Sequence, residues 1–381
     1  MKLNNKINLV ICQKSKIDDW VEHFKEHYRI KVYDLTRKKQ LAEFHGLTQG
    51  ERFYAVGVIN YELSFRRSEL TDLSNFTLIL DESSLIQNEN SKRSKFILKK
   101  LKPENVILLS GTLCGGKYEK LWSQLHLLGW KISKELFYRT FVKFHYDYRQ
   151  GFPLMMIDGY KNEERLKRKM REYGCVFMKT QEVINLPEQI HQTIKIPTTK
   201  DYIKFRKSGI CTVDGKDFIG DTTLTKMLYE RQLCGCYNKV KLDAFQDTVD
   251  STEDRLIVFY NFHAELDKLL KLVDRPVSMV NGQNKDLSAY ETMENSITFI
   301  QYQAGAMGLN LQKANRNIYF TPPLSSELFE QSKKRTHRVV QNKPCFYYYL
   351  TCEDSIEEQI YKMLEMRKDY TDALFKMEAI Q

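Results

Sequence analysis

The sequence predicts an α/β protein of two lobes, each a mainly parallel sheet flanked by helices. Three observations predict it. Short apolar runs alternate with helical periodicities through the first half of the chain. The same alternation restarts near Leu256. Between the two series stands Leu186-Pro187, and proline ends helices and favours an extended approach. The chain has 381 residues, the length of two or three ordinary domains, and 42% of them are apolar, enough to build cores. That apolar content excludes a wholly disordered chain.

The elements follow in order. Ile7 to Cys12 is a near-continuous apolar run, the pattern of a buried strand. Behind it Ile17, Trp20, Val21 and Phe24 recur at i, i+3, i+4 and i+7, a helical stripe that must face a sheet. Ala55 to Ile59, Phe76 to Leu80 and Val106 to Leu109 read as further strands. Residues 117–180 read as a helical insertion in which basic and aromatic residues interleave. In the second series Leu256 to Tyr260, Val277 to Val280, Ile297 to Gln301, Ile318 to Phe320 and Cys345 to Leu350 are the strand candidates. The tail places Ile356, Ile360, Met363 and Leu364 on one helical face. The division falls at the proline: residues 1–187 form the first lobe and 188–381 the second. There is no low-complexity segment and no short-period repeat.

The formal net charge is +10 and the pI near 9.0, a balance that favours a polyanionic partner through counterion release. No apolar run reaches the roughly 18 residues of a membrane span, and Ile7 to Cys12 is too short for a signal peptide. The eight cysteines are scattered; Cys234 and Cys236 are the one close pair, with no second half at a zinc-like distance. These read as reduced, buried thiols of a cytoplasmic protein without a structural metal. His23, His27, His45, His126, His145, His191 and His263 form no metal-binding spacing.

The chemistry centres on Leu78-Ile79-Leu80-Asp81-Glu82-Ser83-Ser84. An apolar strand ending in Asp-Glu puts two carboxylates at the carboxyl edge of a parallel sheet, where ligands bind in such folds. Nucleotide hydrolysis needs one carboxylate for hydrated magnesium and another to orient or deprotonate water. Asp81 suits the first role and Glu82 the second. Taken alone, the segment reads more readily as a strand followed by an acidic turn.

Its context resembles the Swi/Snf-type ATPases of helicase superfamily two. The stretch Asp81 to Ser94, followed by Leu108-Leu109-Ser110-Gly111-Thr112, resembles motifs two and three of that family, and Leu121-Trp122-Ser123-Gln124-Leu125 resembles the helix behind motif three. Leu9 to Ser15 with Trp20 resembles motif Ia, Val58 to Glu62 motif Ib, and Val183 to Pro187 the junction into the second lobe. Leu256 to Phe262 resembles motif four, Gln303 to Leu311 motif five, and Gln331 to Gln341 motif six, Q-x-x-x-R-x-H-R-x-G-Q. The resemblance runs from about residue 7 to residue 365 and implies two RecA-like lobes. It implies that Arg335 and Arg338 reach across a cleft to nucleotide phosphates, a task suited to the forked, always charged guanidinium. It implies cofactor contacts at Thr112, Gly308 and Gln341. It implies nucleic-acid contacts at Lys14, Ser15, Asn60, Tyr61, Gly305 and Asn310, with Lys92 and Arg93 further basic candidates. Lys333 and Lys334 are as readily a solvated helix face.

The sequence departs from the family in one large respect. The phosphate-binding loop G-x-x-x-x-G-K-[ST], expected a strand and a helix before motif Ia, is not among these residues, so the first lobe is expected to be incomplete at its N-terminus. Gly111 to Lys117 mimics the spacing, but Tyr118 stands where Ser or Thr would bind magnesium. Leu113 replaces a proline, Val340 replaces the motif-six glycine, and Ser83-Ser84 replaces Ala-His, a change expected to weaken the link between the acidic box and motif three.

The expectation is an ATP- and magnesium-dependent motor on double-stranded DNA, with no membrane association. Its phosphate loop would come from an upstream segment or a protein partner. No strand-splitting pin is recognisable, and the Lys/Asn/Tyr-rich composition looks like a phage or mobile-element member. Two alternatives stand beside the motor: a nucleic-acid-binding module without catalysis, and a subunit of a larger assembly whose partner supplies nucleotide binding.

Overall fold

The computed structural model describes residues 6–28, 30–48, 54–111, 113–148, 153–176, 185–305 and 309–375. The chain divides into two compact units, and the second runs from Met178 to Asp369. That division falls ten residues ahead of the one placed after Pro187 from the sequence, and the helix Ile356–Phe375 extends past the end of the second unit.

In the first unit β1 (Ile7–Cys12), β2 (Lys31–Asp34), β3 (Ala55–Asn60), β4 (Phe76–Leu80) and β5 (Asn105–Leu108) form a parallel five-stranded sheet in the order β2-β3-β1-β4-β5. β1, β3 and β4 are buried along their whole length, which is why they read as apolar runs rather than alternating ones. Successive residues serve opposite faces: Leu9 and Ile11 enter one core with Leu78, Leu80 and Phe44, while Val10 and Cys12 enter another with Phe24, Val56 and Ile79. The helix Ile17–His27 lays Ile17, Phe24, Trp20 and Val21 against that second core, as its stripe predicts.

The insertion differs from expectation. Helices Lys134–Phe141 and Glu163–Glu172 are present, but between them β6 (Val142–Asp147) and β7 (Leu154–Tyr160) make an antiparallel hairpin. Aromatic and β-branched residues set alternately with polar ones, as in Val142-Lys143-Phe144-His145-Tyr146-Asp147, favour a pleated strand over a helix.

The second unit holds a seven-stranded sheet built from β8 (Gln189–Ile196), β11 (Leu256–Tyr260), β12 (Val277–Val280), β13 (Lys285–Asp286), β14 (Ile297–Gln301), β15 (Arg316–Tyr319) and β16 (Cys345–Cys352). The order is β13-β12-β14-β11-β15-β16-β8, parallel throughout except for the short β13. A separate hairpin, β9 (Ile210–Val213) with β10 (Lys216–Ile219), lies between helices Lys200–Ser208 and Thr223–Gly235. Both units are therefore the mainly parallel α/β architecture the alternation predicts. No helix among the described residues is long and apolar enough to cross a membrane.

Candidate nucleotide and nucleic-acid sites

In the first unit the site sits at the carboxyl edge of the sheet, because the register of β1 with β3 and β4 brings Cys12, Asn60 and Leu80 to the same end. Asp81 follows β4 directly and is held by three hydrogen bonds. Its N–H donates to the Ile11 carbonyl at 3.0 Å, its carbonyl accepts from the Tyr61 hydroxyl at 2.9 Å, and its carboxylate Oδ2 accepts from Trp20 Nε1 at 2.9 Å. Beneath it lie Cys12 and Tyr61; burial first, then the charge of Asp81, pushes the thiol and the phenol up, so both remain protonated. Glu82 turns the chain with φ 52° and ψ 55°, a left-handed conformation costly for a residue with a side chain and typical of functional turns.

The turn is tied to the segment after β5. Ser83 N–H donates to Leu109 O at 2.8 Å, and its hydroxyl donates to Gln124 Oε1 at 2.9 Å. Gln124 Nε2 then donates to Leu113 O at 2.8 Å, where Gln87 Nε2 also arrives at 3.1 Å. The link between the acidic box and motif three, expected to be weakened by Ser83, is thus made through Gln124. Trp20 and Gln124 belong to motif segments whose resemblance gives them no role of their own. The signal for them is an indole and an amide on otherwise apolar helix faces, groups that need a partner when buried.

Several expected contacts change meaning. Lys14 and Ser15 are exposed in the turn after β1, open to a ligand. Asn60 is nearly buried, with its amide on Glu62 Oε2 at 3.2 Å. Tyr61 is fully buried and supports Asp81, so its ring offers no surface to nucleic acid. The phosphate-loop mimic is a turn in which Gly115 and Gly116 have φ 53° and 71°; it leads into a 3-10 turn whose Tyr118 is buried against Tyr160, with ring centroids 4.2 Å apart. Thr112 and Gly308 lie outside the described residues.

In the second unit the segments resembling motifs five and six meet. Arg338 Nη1 donates to Asn310 Oδ1 and, at 3.4 Å, to Leu309 O, while Leu311 N–H donates to Arg335 O at 3.1 Å. Asn310 is exposed, and Gly305 ends the short helix Tyr302–Gly305. Gln341 was expected to touch nucleotide. Instead it is buried, and its Nε2 donates to Gln312 O, Ala314 O and Thr336 O at 3.0–3.3 Å, a brace between the two segments. His337 accepts from Gln189 Nε2 at Nδ1 (2.7 Å) and donates from Nε2 to Pro187 O (2.8 Å), fastening the same loop to the start of β8.

Val340 keeps a φ of +87° at the position where the family's motif has glycine, and its side chain is 72% exposed. A β-branched residue held there loses backbone energy and gains no packing. Val340→Gly is expected to raise stability by about 1 kcal/mol, the relief of strain less the entropy that glycine adds to the unfolded chain. The urea midpoint of the second unit, compared between the two proteins, checks it.

The first unit sets Asp81 and Glu82 at a parallel-sheet edge, and the second, also mainly parallel, carries Arg335 and Arg338 beside the segment at Asn310, so the chain is of the class of two-unit α/β proteins. The SNF2-related domain family matches residues 2–237, more than half of the chain, and the helicase conserved C-terminal domain matches residues 240–340. The chain belongs to the SNF2-related family. It is 23% identical over 366 residues to YwqA of Bacillus subtilis, whose name proposes an ATP-dependent helicase/translocase; the match covers 85% of this chain and 38% of that protein. It is 23% identical over 406 residues to the human SWI/SNF-related matrix-associated actin-dependent regulator of chromatin subfamily A member 1, covering 94% of this chain and 38% of that protein. The chain thus spans less than two fifths of the length of these relatives. Among solved structures, the C-terminal part of the Fun30 ATPase domain matches with a TM-score of 0.37 and 15% identity, covering 50% of this chain and 98% of that one. The relatives named are cellular proteins and give the mobile-element expectation no support.

Proposed function

We propose that this chain is the body of a DNA-dependent ATPase that follows duplex DNA by its backbone without separating the strands. Asp81 carries the reading: its carboxylate stands at the sheet edge with one oxygen oriented by Trp20 and the protonated Cys12 and Tyr61 beneath it. That arrangement fits a hydrated magnesium ion, which when bound supplies positive charge against phosphate oxygens. Glu82 orients and deprotonates the attacking water. Arg335 and Arg338 offset the charge that develops on the transferring phosphoryl group. The β- and γ-phosphates also need a cradle of backbone N–H groups and a lysine; the loop that provides them comes from a segment or partner outside these 381 residues. Lys14, Ser15, Lys92, Arg93, Gly305 and Asn310 contact the DNA backbone. The eight cysteines, none of them in a disulfide, suit a cytoplasmic setting.

Two measurements test this. ATP turnover is expected to be negligible for the 381-residue chain, and DNA-stimulated once a strand and phosphate loop are supplied. Duplex binding is expected to vary little with base sequence and to fall with salt at a log–log slope of about −0.9 per phosphate neutralised. Equal turnover with and without the loop would refute the split nucleotide site. Duplex binding without turnover in the completed protein would make it a binding module.

A further inference from the structure

The hairpin β6–β7 belongs to neither large sheet, and no role in nucleotide chemistry accounts for it. Its base is anchored: Phe141 and Val142 are fully buried, and Tyr160 stacks on Tyr118 and donates to Glu119 Oε2 at 2.8 Å. Its outer part is not. Tyr146 is 50% exposed and Tyr148 66%, and Leu154, Met155, Met156 and Ile157 are all exposed. The register sets Phe144 opposite Ile157 and Tyr146 opposite Met155, so these four share one face. A two-stranded ribbon has no core of its own in which to hide such a face, and a contiguous exposed apolar patch marks a site of interaction.

The surroundings indicate the kind of partner. At the base of the ribbon a concavity is lined by Arg139, Val142, Lys143, Phe144, Asp158 and Lys161. Lys143 and Lys161 stand there beside one lining carboxylate, Asp158, which His145 Nδ1 engages at 2.9 Å, while Arg139 is paired with Glu135 at 2.8 Å. Aromatic faces interleaved with cations are what unpaired nucleotides require, since bases stack on the rings while phosphates meet the charges. Protein–protein interfaces, in contrast, are depleted of lysine.

We propose that the Phe144–Tyr146–Met155–Ile157 face of this hairpin, with Lys143 and Lys161 at the base of the ribbon, binds unpaired bases of a nucleic-acid strand. This site is separate from the backbone contacts assigned to duplex DNA, and it rests on the reading of the chain as a nucleic-acid-binding protein.

The test uses the full 381-residue chain with a blunt duplex, a forked duplex and a single strand carrying 2-aminopurine. The wild type is expected to quench the 2-aminopurine emission and to bind the forked duplex more tightly than the blunt duplex at equal salt. Tyr146→Ala combined with Tyr148→Ala is expected to abolish the quenching and weaken single-strand binding by about tenfold or more, leaving blunt-duplex binding unchanged. Both tyrosines are exposed, so their removal leaves the core intact. Lys143→Ala with Lys161→Ala, a second and milder variant, is expected to lower the single-strand salt slope by about 0.7 for each phosphate no longer neutralised. Unaltered single-strand affinity and quenching in the tyrosine variant overturns the proposal. So does a change of that variant from dimer to monomer with nucleic-acid binding untouched, which would make the face a contact between copies of the chain. Failure of the wild type to bind blunt duplex, with hairpin-dependent binding of single strand intact, would remove the duplex reading and leave this one standing.

Discussion

Glu82→Gln is expected to abolish ATP turnover in the protein completed by a phosphate loop, while nucleotide still binds. The carboxamide is nearly isosteric but cannot take a proton, so only the step that activates water is lost. The left-handed backbone at Glu82 is set by its neighbours, since Ser83 N–H is fixed on Leu109 O and Leu85 N–H on Glu82 O, and neither bond involves the substituted group. Arg335→Ala and Arg338→Ala are each expected to cost on the order of 10³-fold in turnover, as for other arginines that stabilise phosphoryl-transfer charge. Arg338 also holds Asn310, so Arg338→Ala should weaken DNA stimulation as well, whereas Arg335→Ala should not. Steady-state turnover with and without DNA, beside nucleotide binding measured by a fluorescent analogue, separates these effects. Near-normal rates in both arginine variants would show that the segment around residue 335 does not act on nucleotide.

The largest expected loss of stability lies elsewhere, at Lys241. Its ammonium is fully buried and donates to both carboxylate oxygens of Glu357, at 2.6 and 2.7 Å, and Glu357 Oε2 also accepts from Cys352 N–H. Breaking such a pair strands a charge in the interior, and Glu357→Ala is expected to cost about 3–5 kcal/mol, read from the urea midpoint of the second unit. Replacing both partners, Lys241→Met with Glu357→Leu, should cost much less than the sum of the single changes, because no charge is left behind. Burial pulls the Lys241 value down, but the Glu357 carboxylate outweighs it and holds the ammonium above its ordinary value. A lysine raised in the folded state contributes its stability in full below the unfolded value, near 10.5, and loses it as pH climbs through the folded one. The gap between wild type and Lys241→Met should therefore narrow in strong alkali, where the wild-type ammonium gives up its proton. Cys234, Cys352 and Glu357 lie close enough to suggest a metal cage, yet both carboxylate oxygens are already engaged and burial keeps the Cys234 thiol protonated.

The strands legible in the sequence were those that read as short apolar or aromatic runs, including β5, β12, β15 and β16, whose burial is mixed. β1, β3, β4, β11 and β14 are buried on both faces and appear as apolar runs whatever surrounds them. β2, β8 and β13 mix polar and apolar residues at or near sheet edges, and their pairing is decided by neighbours far along the chain. Asp81, Glu82, Arg335 and Arg338 could be named because each belongs to a short linear motif. Tyr61 and Gln341 sit in motifs of the same kind, yet their side chains turn inward to brace Asp81 and the turn after Arg338. Motif membership indicates the neighbourhood of a residue, whereas the direction of its side chain follows from tertiary packing.

β8 begins two residues after Pro187 and runs parallel to β16 in unbroken register from Gln189 to Ile196. A pull along the entering chain therefore loads that whole ladder in shear, with every rung sharing the force at once. A hairpin pulled from its open end would instead unzip rung by rung. His337, bonded to Pro187 O and Gln189 at the head of the strand, adds a latch where the strain would first concentrate. The entry to this unit is thus a tow-point, able to bear tension without the strand peeling from the sheet.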